Sequence, residues 1–167
     1  MIESAIALSA GKITGAEIQK ILDLGHEMLV AEVQPYENVS EILSGLASRS
    51  DLMLITKGDL LEQGNKVDRS GLAGYFRYIE ILPEKTVASY GKLLDRYGIA
   101  PGDFLMVGNS LKSDILPVLE IGGNAIYIPS HNTWAHEEVD PNEIETKTYH
   151  ELAHLGQLPG LIARLKG

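Results

Sequence analysis

A chain of 167 residues with 44% hydrophobic and 22% charged residues can bury the core of one domain, and its composition excludes a disordered protein. The absence of cysteine excludes disulfides, thiolate nucleophiles and cysteine zinc sites, and the net charge of -9 disfavours binding to nucleic acid or to anionic lipid. No apolar run approaches the ~20 residues of a membrane helix and no signal-peptide pattern opens the chain, so we expect a cytoplasmic protein.

The first part of the chain has a helical pattern and no strand pattern. Residues 1–33 predict two helices, because their apolar residues recur at helical spacing. Thr14 and Glu17 have the spacing of a capping box and predict the start of the second helix. Asn38 and Glu41 predict the cap of a third helix.

The remainder alternates short apolar runs with helical stretches. The apolar runs predict strands over residues 52–55, 78–82, 104–107 and 125–129. Helical spacing predicts helices over residues 60–70, 87–97, 115–121 and 158–165, the first two ended by Gly71 and Gly98. Strands that alternate with helices of this length are typical of an α/β fold, here a Rossmann-like parallel sheet with helices on both faces.

Polar side chains follow three of these strands. They are Thr56 and Lys57 after the first strand, Lys85 after the second, and Asn109, Ser110, Ser113 and Asp114 after the third. Because parallel strands end at one edge of a sheet, a hydroxyl, an ammonium and a carboxylate can converge there, and the aspartate suits Mg2+. Each also has an ordinary interpretation: Thr56 can end a strand, Lys85 can be solvated, and Asp114 can cap a helix.

The order and spacing of these residues over nearly the whole chain resembles the haloacid dehalogenase (HAD) superfamily of Mg2+-dependent phosphohydrolases. The resemblance implies that Thr56 hydrogen-bonds the transferring phosphoryl group and that Lys85 neutralises negative charge. It implies that Asp114 and Asn109 hold Mg2+. Lys57 and Ser110 would assist in binding the substrate, a small phosphorylated metabolite; dehalogenation is the lesser enzymatic option.

Two departures from the family pattern stand out. Asn109 occupies a position that is usually aspartate, which removes one negative charge from the metal shell. The family's nucleophile is the first aspartate of Asp-x-Asp-x-Thr at the end of a first strand, and the sequence contains no Asp-x-Asp. Residues 1–34 resemble the tail of a helical cap, and residues 35–167 resemble the core domain without its first strand. The resemblance therefore implies a truncated hydrolase that is inactive as given; the alternative is a non-catalytic protein that keeps the scaffold for binding or assembly.

In this family the first strand is central in the sheet. Without it, the strands predicted over residues 52–55 and 104–107 would each have an unpaired edge, which proteins usually cover. We therefore expect that the two strands pair directly, or that a second copy of the chain fills the gap in a homodimer.

One further string matches a metal motif. His150 to His154 reads H-E-x-x-H, which on a helix places two zinc ligands on one face. Residues 155–167 contain no His, Asp, Glu or Cys to act as a third ligand. We therefore expect a short surface helix or turn in which Leu152 and Leu155 reach the core, and a polar loop around Trp134 with its flanking histidines His131 and His136.

Overall fold

The computed structural model describes residues 2–30, 33–130 and 148–165. The chain divides into two compact units, residues 1–34 and 35–167.

The first unit consists of two helices, α1 (Ile2–Leu8) and α2 (Gly15–Val30). The predicted capping box opens α2: the Thr14 amide donates to Glu17 Oε2 at 2.8 Å, and the Glu17 amide donates to Thr14 Oγ1 at 3.3 Å. Both predicted helices and the cap between them are therefore confirmed.

The second unit alternates strands and helices. Its strands are β1 (Met53–Lys57), β2 (Tyr78–Leu82), β3 (Leu105–Gly108), β4 (Asn124–Tyr127) and β5 (His150–Glu151). Its helices are α3 (Val39–Ala47), α4 (Leu60–Ser70), α5 (Val87–Tyr97), α6 (Leu116–Glu120) and α7 (Leu158–Leu165), and a π-helical turn (Leu111–Ile115) precedes α6. In the ranges that the structure describes, all strand pairs are parallel, which confirms the predicted α/β class.

The strands form two separate pieces of sheet. β1 pairs with β2, and β3, β4 and β5 pair in that order. Within the described ranges β1 and β3 do not pair with each other, so the prediction of direct pairing is wrong. Ile55 of β1 and Met106 of β3 both pack into one core with Tyr90 of α5, and a cavity of about 640 Å³ lies between the two strands in place of a hydrogen-bonded ladder.

Two apolar clusters cover the sheet. The first, on the side of α5 and α6, contains Ile55, Tyr90, Leu93, Leu94, Phe104, Met106 and Val118. The second, on the side of α7, contains Ile126, Leu152, Leu158 and Leu161. Successive residues of a strand point to opposite faces, and Met106 packs into the first cluster whereas Leu105 and Val107 pack against the second. Both faces of β3 are therefore covered by apolar side chains, as its unbroken apolar sequence predicts.

The helix ends mostly follow their predicted signals. Gly71 and Gly98 end α4 and α5 with φ of 69° and 64°, a left-handed conformation that glycine adopts without strain. Asp59 caps α4 by accepting from the amides of residues 61 and 62. Asn38 occupies the N-cap position of α3 as predicted, but the residue has φ of 60° and its side chain makes no capping hydrogen bond. In that conformation its side chain does not accept from the first turn of α3.

The H-E-x-x-H string does not form a helix. His150 belongs to β5, which pairs with β4, and His154 precedes a 3-10 turn at Leu155–Gln157. The predicted surface helix or turn is therefore a two-residue strand followed by a 3-10 turn. Leu152 is buried and Leu155 packs against the same cluster, as expected. The described ranges hold no group of three or more His, Asp or Glu residues arranged for a metal, and no helix there is long and apolar enough to cross a membrane. The loop predicted around Trp134 lies outside the described residues.

Candidate active site

Polar loops from three strands meet at the carboxyl edge of the second unit. Lys57, the last residue of β1, donates from Nζ to Ser113 Oγ at 2.9 Å. Lys85, which follows β2, donates from Nζ to Asp114 Oδ1 at 2.7 Å. The turn after β3 supplies both acceptors, so it contacts the loops that follow the other two strands.

Asp114 is the buried acceptor of this cluster. Its side chain is 5% exposed and that of Lys85 is 11% exposed. Its second oxygen, Oδ2, accepts from the backbone amides of Asn109 and Ser110, each at 3.1 Å. A carboxylate offers about four acceptor positions, and these contacts use three. The carboxylate is therefore held in one orientation.

The π-helical turn places Asp114 under the loop that follows β3. The amides of Asp114 and Ile115 both donate to the carbonyl of Ser110, at 2.8 and 3.2 Å. The buried Ser110 hydroxyl accepts from the Ser113 amide at 2.9 Å and so caps the turn. Asp114 itself points back to the loop, and the interpretation of Asp114 as a simple helix cap is therefore wrong.

Gly108, at the end of β3, allows the close approach of Asp114. A Cβ added at this glycine would lie 2.5 Å from Asp114 Cγ, far inside van der Waals contact. This role of Gly108 depends on a side chain six residues later in the chain.

Tyr90 of α5 contacts the π-helical turn that carries Asp114. It is fully buried, and its hydroxyl donates to the carbonyl of Ser113 at 3.1 Å. Burial, and to a lesser degree the negative charge of Asp114, raise the pKa of the Tyr90 phenol. Tyr90 therefore stays a neutral donor through the physiological range.

We expect this shifted pKa to make folding stability depend on pH above 10. The folded state retains the Tyr90 proton after the unfolded state has lost it, so the free energy of unfolding falls as pH rises past about 10, by up to about 1.4 kcal/mol per pH unit. Tyr90→Phe should remove this part of the slope in urea unfolding curves measured from pH 8 to 11. An identical slope in both proteins would contradict this account.

The remaining predicted residues occupy different positions. Thr56 is half-buried, and its hydroxyl donates to Gln63 Oε1 on α4 at 3.1 Å, so α4 and not the lysine and aspartate pair sets its orientation. Asn109 is exposed and contacts Asp114 through its backbone amide. Gln63 was not expected from the sequence, because it lies in a helix with no motif spacing to Thr56.

Electrostatically the edge combines two ammonium groups, on Lys57 and Lys85, with the carboxylate of Asp114. These three groups carry a formal charge of +1 in a chain whose net charge is -9. The two ammonium groups can therefore attract a small anion.

Comparison with known proteins decides the family. No family model matches the chain. The crystal structure of a haloacid dehalogenase-like family hydrolase from Xanthomonas campestris matches with a TM-score of 0.83 and 34% sequence identity, and the match covers 98% of this chain and 69% of that one. The chain belongs to the haloacid dehalogenase-like hydrolase family. The resemblance drawn from its polar loops is thus confirmed.

Other relatives of this HAD-like chain match smaller parts of it. The HAD-hydrolase YfnB from Bacillus subtilis, solved with magnesium bound, matches with a TM-score of 0.65 and 21% identity over 77% of this chain and 56% of that chain, which shows the shared fold. N-acylneuraminate-9-phosphatase from Rattus norvegicus is 34% identical over 91 residues, 52% of this chain. The aligned part spans only 37% of the length of that phosphatase.

Proposed function

We propose that this chain is the core part of a Mg2+-dependent phosphohydrolase that acts on a small phosphate ester. The observation that carries the proposal is the convergence of Lys57 and Lys85 on the buried turn of Ser113 and Asp114. Phosphoryl transfer is catalysed mainly by positioning and by stabilising charge on the phosphoryl oxygens, and ammonium groups fixed at a strand edge supply that charge. The phosphatase names of the curated relatives support the same substrate class.

Each predicted residue has a role in this proposal. Lys85, held by Asp114, neutralises the charge of the phosphoryl group, and Lys57 adds a second ammonium. Thr56 donates its hydroxyl to a phosphoryl oxygen after exchanging its hydrogen bond with Gln63. The buried Ser110 acts indirectly, because its hydroxyl holds the turn that carries Asp114.

The donor set fits a partial magnesium site. Asp114 keeps about one of its four acceptor positions, and the exposed side chain of Asn109 adds an amide oxygen. Mg2+ is usually held by one or two carboxylates, with water and substrate phosphate completing its shell. Bound there, the ion would neutralise charge on the phosphoryl oxygens. Because Asn109 replaces a carboxylate, we expect weak binding in the absence of substrate.

The chain as given should turn over little or no substrate. The sequence has no Asp-x-Asp, and the Asp114 carboxylate is held by an ammonium and two amides, which leaves it unsuited to attack phosphorus. We propose that residues 1–34 are the remnant of a helical cap and that residues 35–167 are the core domain. The nucleophile would come from a segment that this sequence does not contain.

Hydrolysis of p-nitrophenyl phosphate with Mg2+ tests the proposal. We expect no turnover by the chain, and turnover by a version extended at its amino terminus with an apolar strand followed by Asp-x-Asp. Lys85→Ala in the extended version should abolish the turnover, and Lys66→Ala, in an exposed pair on α4, should not. Turnover by the chain as given would mean that it holds another nucleophile. Inactivity of a folded extended version would favour the non-catalytic binding function.

A further inference from the structure

Gln63 of α4 contacts the hydroxyl of Thr56 through its side-chain amide. The Thr56 hydroxyl donates to Gln63 Oε1 at 3.1 Å, and both side chains are half-buried. In the part of the chain that the structure describes, this is the one hydrogen bond of the Gln63 side chain. Because no second hydrogen bond there holds the amide, its orientation depends on what Thr56 offers it.

The backbone on both sides of this contact is fixed. The amide of Gly58, directly after β1, donates to the Leu82 carbonyl at 3.0 Å and so continues the pairing with β2. At the start of α4 the backbone amide of Gln63 donates to the Asp59 carbonyl at 3.0 Å, and the Asp59 side chain caps the helix. A change in the hydrogen bond between Thr56 and Gln63 therefore needs motion of the side chains only.

Gly58 leaves room for the Gln63 amide to turn. A Cβ added at this glycine would lie 3.4 Å from both Cγ and Nε2 of Gln63, so the amide nitrogen lies beside Gly58 while the amide oxygen contacts Thr56. The φ of 135° at Gly58 lies in the region that favours glycine. The oxygen and the NH2 group of an amide are nearly equal in size, so a half-turn about the Cγ–Cδ bond exchanges them without a clash.

The observed orientation of the amide uses the Thr56 proton for an internal contact. A threonine hydroxyl has one proton to donate and two lone pairs that accept. An ionised phosphoryl oxygen only accepts, so it competes with Gln63 Oε1 for that proton. After a half-turn of the amide, Gln63 Nε2 would donate to a lone pair of Thr56 Oγ1, and the Thr56 proton would be left for the phosphoryl oxygen. A donor that also accepts in this way is polarised and becomes a stronger donor.

We propose that Gln63 is a positioning residue whose amide turns over when a phosphoryl group binds, so that Nε2 donates to Thr56 Oγ1 and the Thr56 hydroxyl donates to the phosphoryl group. Gln63 acts through Thr56 and does not itself touch the phosphoryl oxygens. The inference rests on the proposed function, in which Thr56 binds a phosphoryl oxygen. It deepens that function by assigning the change of hydrogen-bond direction to a residue of α4.

NMR of the unmodified chain, titrated with inorganic phosphate in the presence of Mg2+, gives the first test. The sequence holds four glutamines, at positions 19, 34, 63 and 157, so the side-chain amide signals of Gln63 can be assigned. As phosphate binds, we expect one Nε2 proton of Gln63 to shift downfield and to exchange more slowly with water. In Thr56→Val, the same signals should not respond.

Gln63→Glu gives the second test, with calorimetry of phosphate binding as the readout. The carboxylate keeps the shape of the side chain but only accepts at neutral pH, so it retains the Thr56 proton and should weaken phosphate binding about tenfold. Asn65→Asp makes the same change at an exposed position of α4 and should alter the affinity less than about twofold. In the Thr56→Val background, Gln63→Glu should weaken binding less than about threefold, because the hydroxyl through which Gln63 acts is absent.

Two results would overturn this inference alone. The first is saturable phosphate binding that leaves the Gln63 amide signals unchanged. The second is equal weakening by Gln63→Glu with and without the Thr56 hydroxyl, which would show simple repulsion between carboxylate and phosphate. If Gln63→Glu does not fold, the NMR titration of the unmodified chain decides. A folded, unmodified chain that binds no phosphate would overturn the proposed function together with this inference, so the two failures are distinguishable.

Discussion

Lys85→Met is expected to lower the free energy of unfolding by about 3 kcal/mol. The ammonium of Lys85 lies 2.7 Å from Asp114 Oδ1, and both side chains are almost fully buried. Removing the ammonium leaves the buried carboxylate with only its two backbone amide donors. Burying a charge without its partner is among the most destabilising changes a protein can undergo. Urea unfolding at pH 7 measures the effect.

Lys66→Met is the matched control for this substitution. Lys66 forms an ion pair of the same 2.7 Å length with Glu62 on α4, but its side chain is 42% exposed. An exposed pair four residues apart on a helix contributes about 0.3–0.5 kcal/mol. Equal losses in the two variants would show that the Lys85 and Asp114 pair is solvated and does not fix the site.

Gly108→Ala is expected to lower the free energy of unfolding by about 3 kcal/mol, at the upper end of the cost of overpacking. The added methyl group would lie 2.5 Å from Asp114 Cγ, and the aspartate cannot move without losing its contacts with Lys85 and with the turn. The substitution should therefore also shift the Asp114 carboxylate relative to Lys85. Urea unfolding measures the stability, and NMR shifts of the Asn109 and Ser110 amides report the position of the carboxylate.

Gly91→Ala provides the control for the added methyl group. Gly91 lies within α5, and a Cβ added there would meet no atom within 4 Å. Alanine favours the helix over glycine, so this variant should gain about 0.5–1 kcal/mol. A gain at Gly108 as well would mean that Asp114 does not approach the end of β3 as described.

The sequence carried enough information to predict the parallel α/β fold. β3 is an unbroken apolar run, and α4 and α5 end at glycines, so local pattern and tertiary structure agree there. β5 was not predicted from the sequence. It consists of two exposed polar residues, His150 and Glu151, which form a strand through pairing with β4. The strand exists because of its neighbour and not because of its own composition.

The candidate site was predictable in its residues but not in its geometry. Polar residues after successive parallel strands must share one edge, which is why Lys57, Lys85 and Asp114 could be named from order alone. The orientation of Thr56 by Gln63 and the support from Tyr90 could not be named. Both contacts link residues on different elements, and neither has a characteristic spacing in the sequence.

The gap between β1 and β3 is another feature that the sequence did not predict. The resemblance to the family implied that no first strand lies between β1 and β3, and direct pairing of these two strands was one of the two expected arrangements. The structure instead keeps the two pieces apart around an apolar cavity. Whether strands close a gap depends on how the cores on both faces pack, and a single sequence does not reveal that packing.

We propose that the edge where Lys57 and Lys85 meet Ser113 and Asp114 binds a phosphoryl group, and titration of the chain with inorganic phosphate in the presence of Mg2+ tests this most directly. We expect saturable binding by calorimetry, weakened at least tenfold by Lys57→Met and unchanged by Lys66→Met. Lys57 is exposed, so its replacement should leave the fold intact. Phosphate binding that survives Lys57→Met unchanged, or a folded chain that binds no phosphate, would contradict the account.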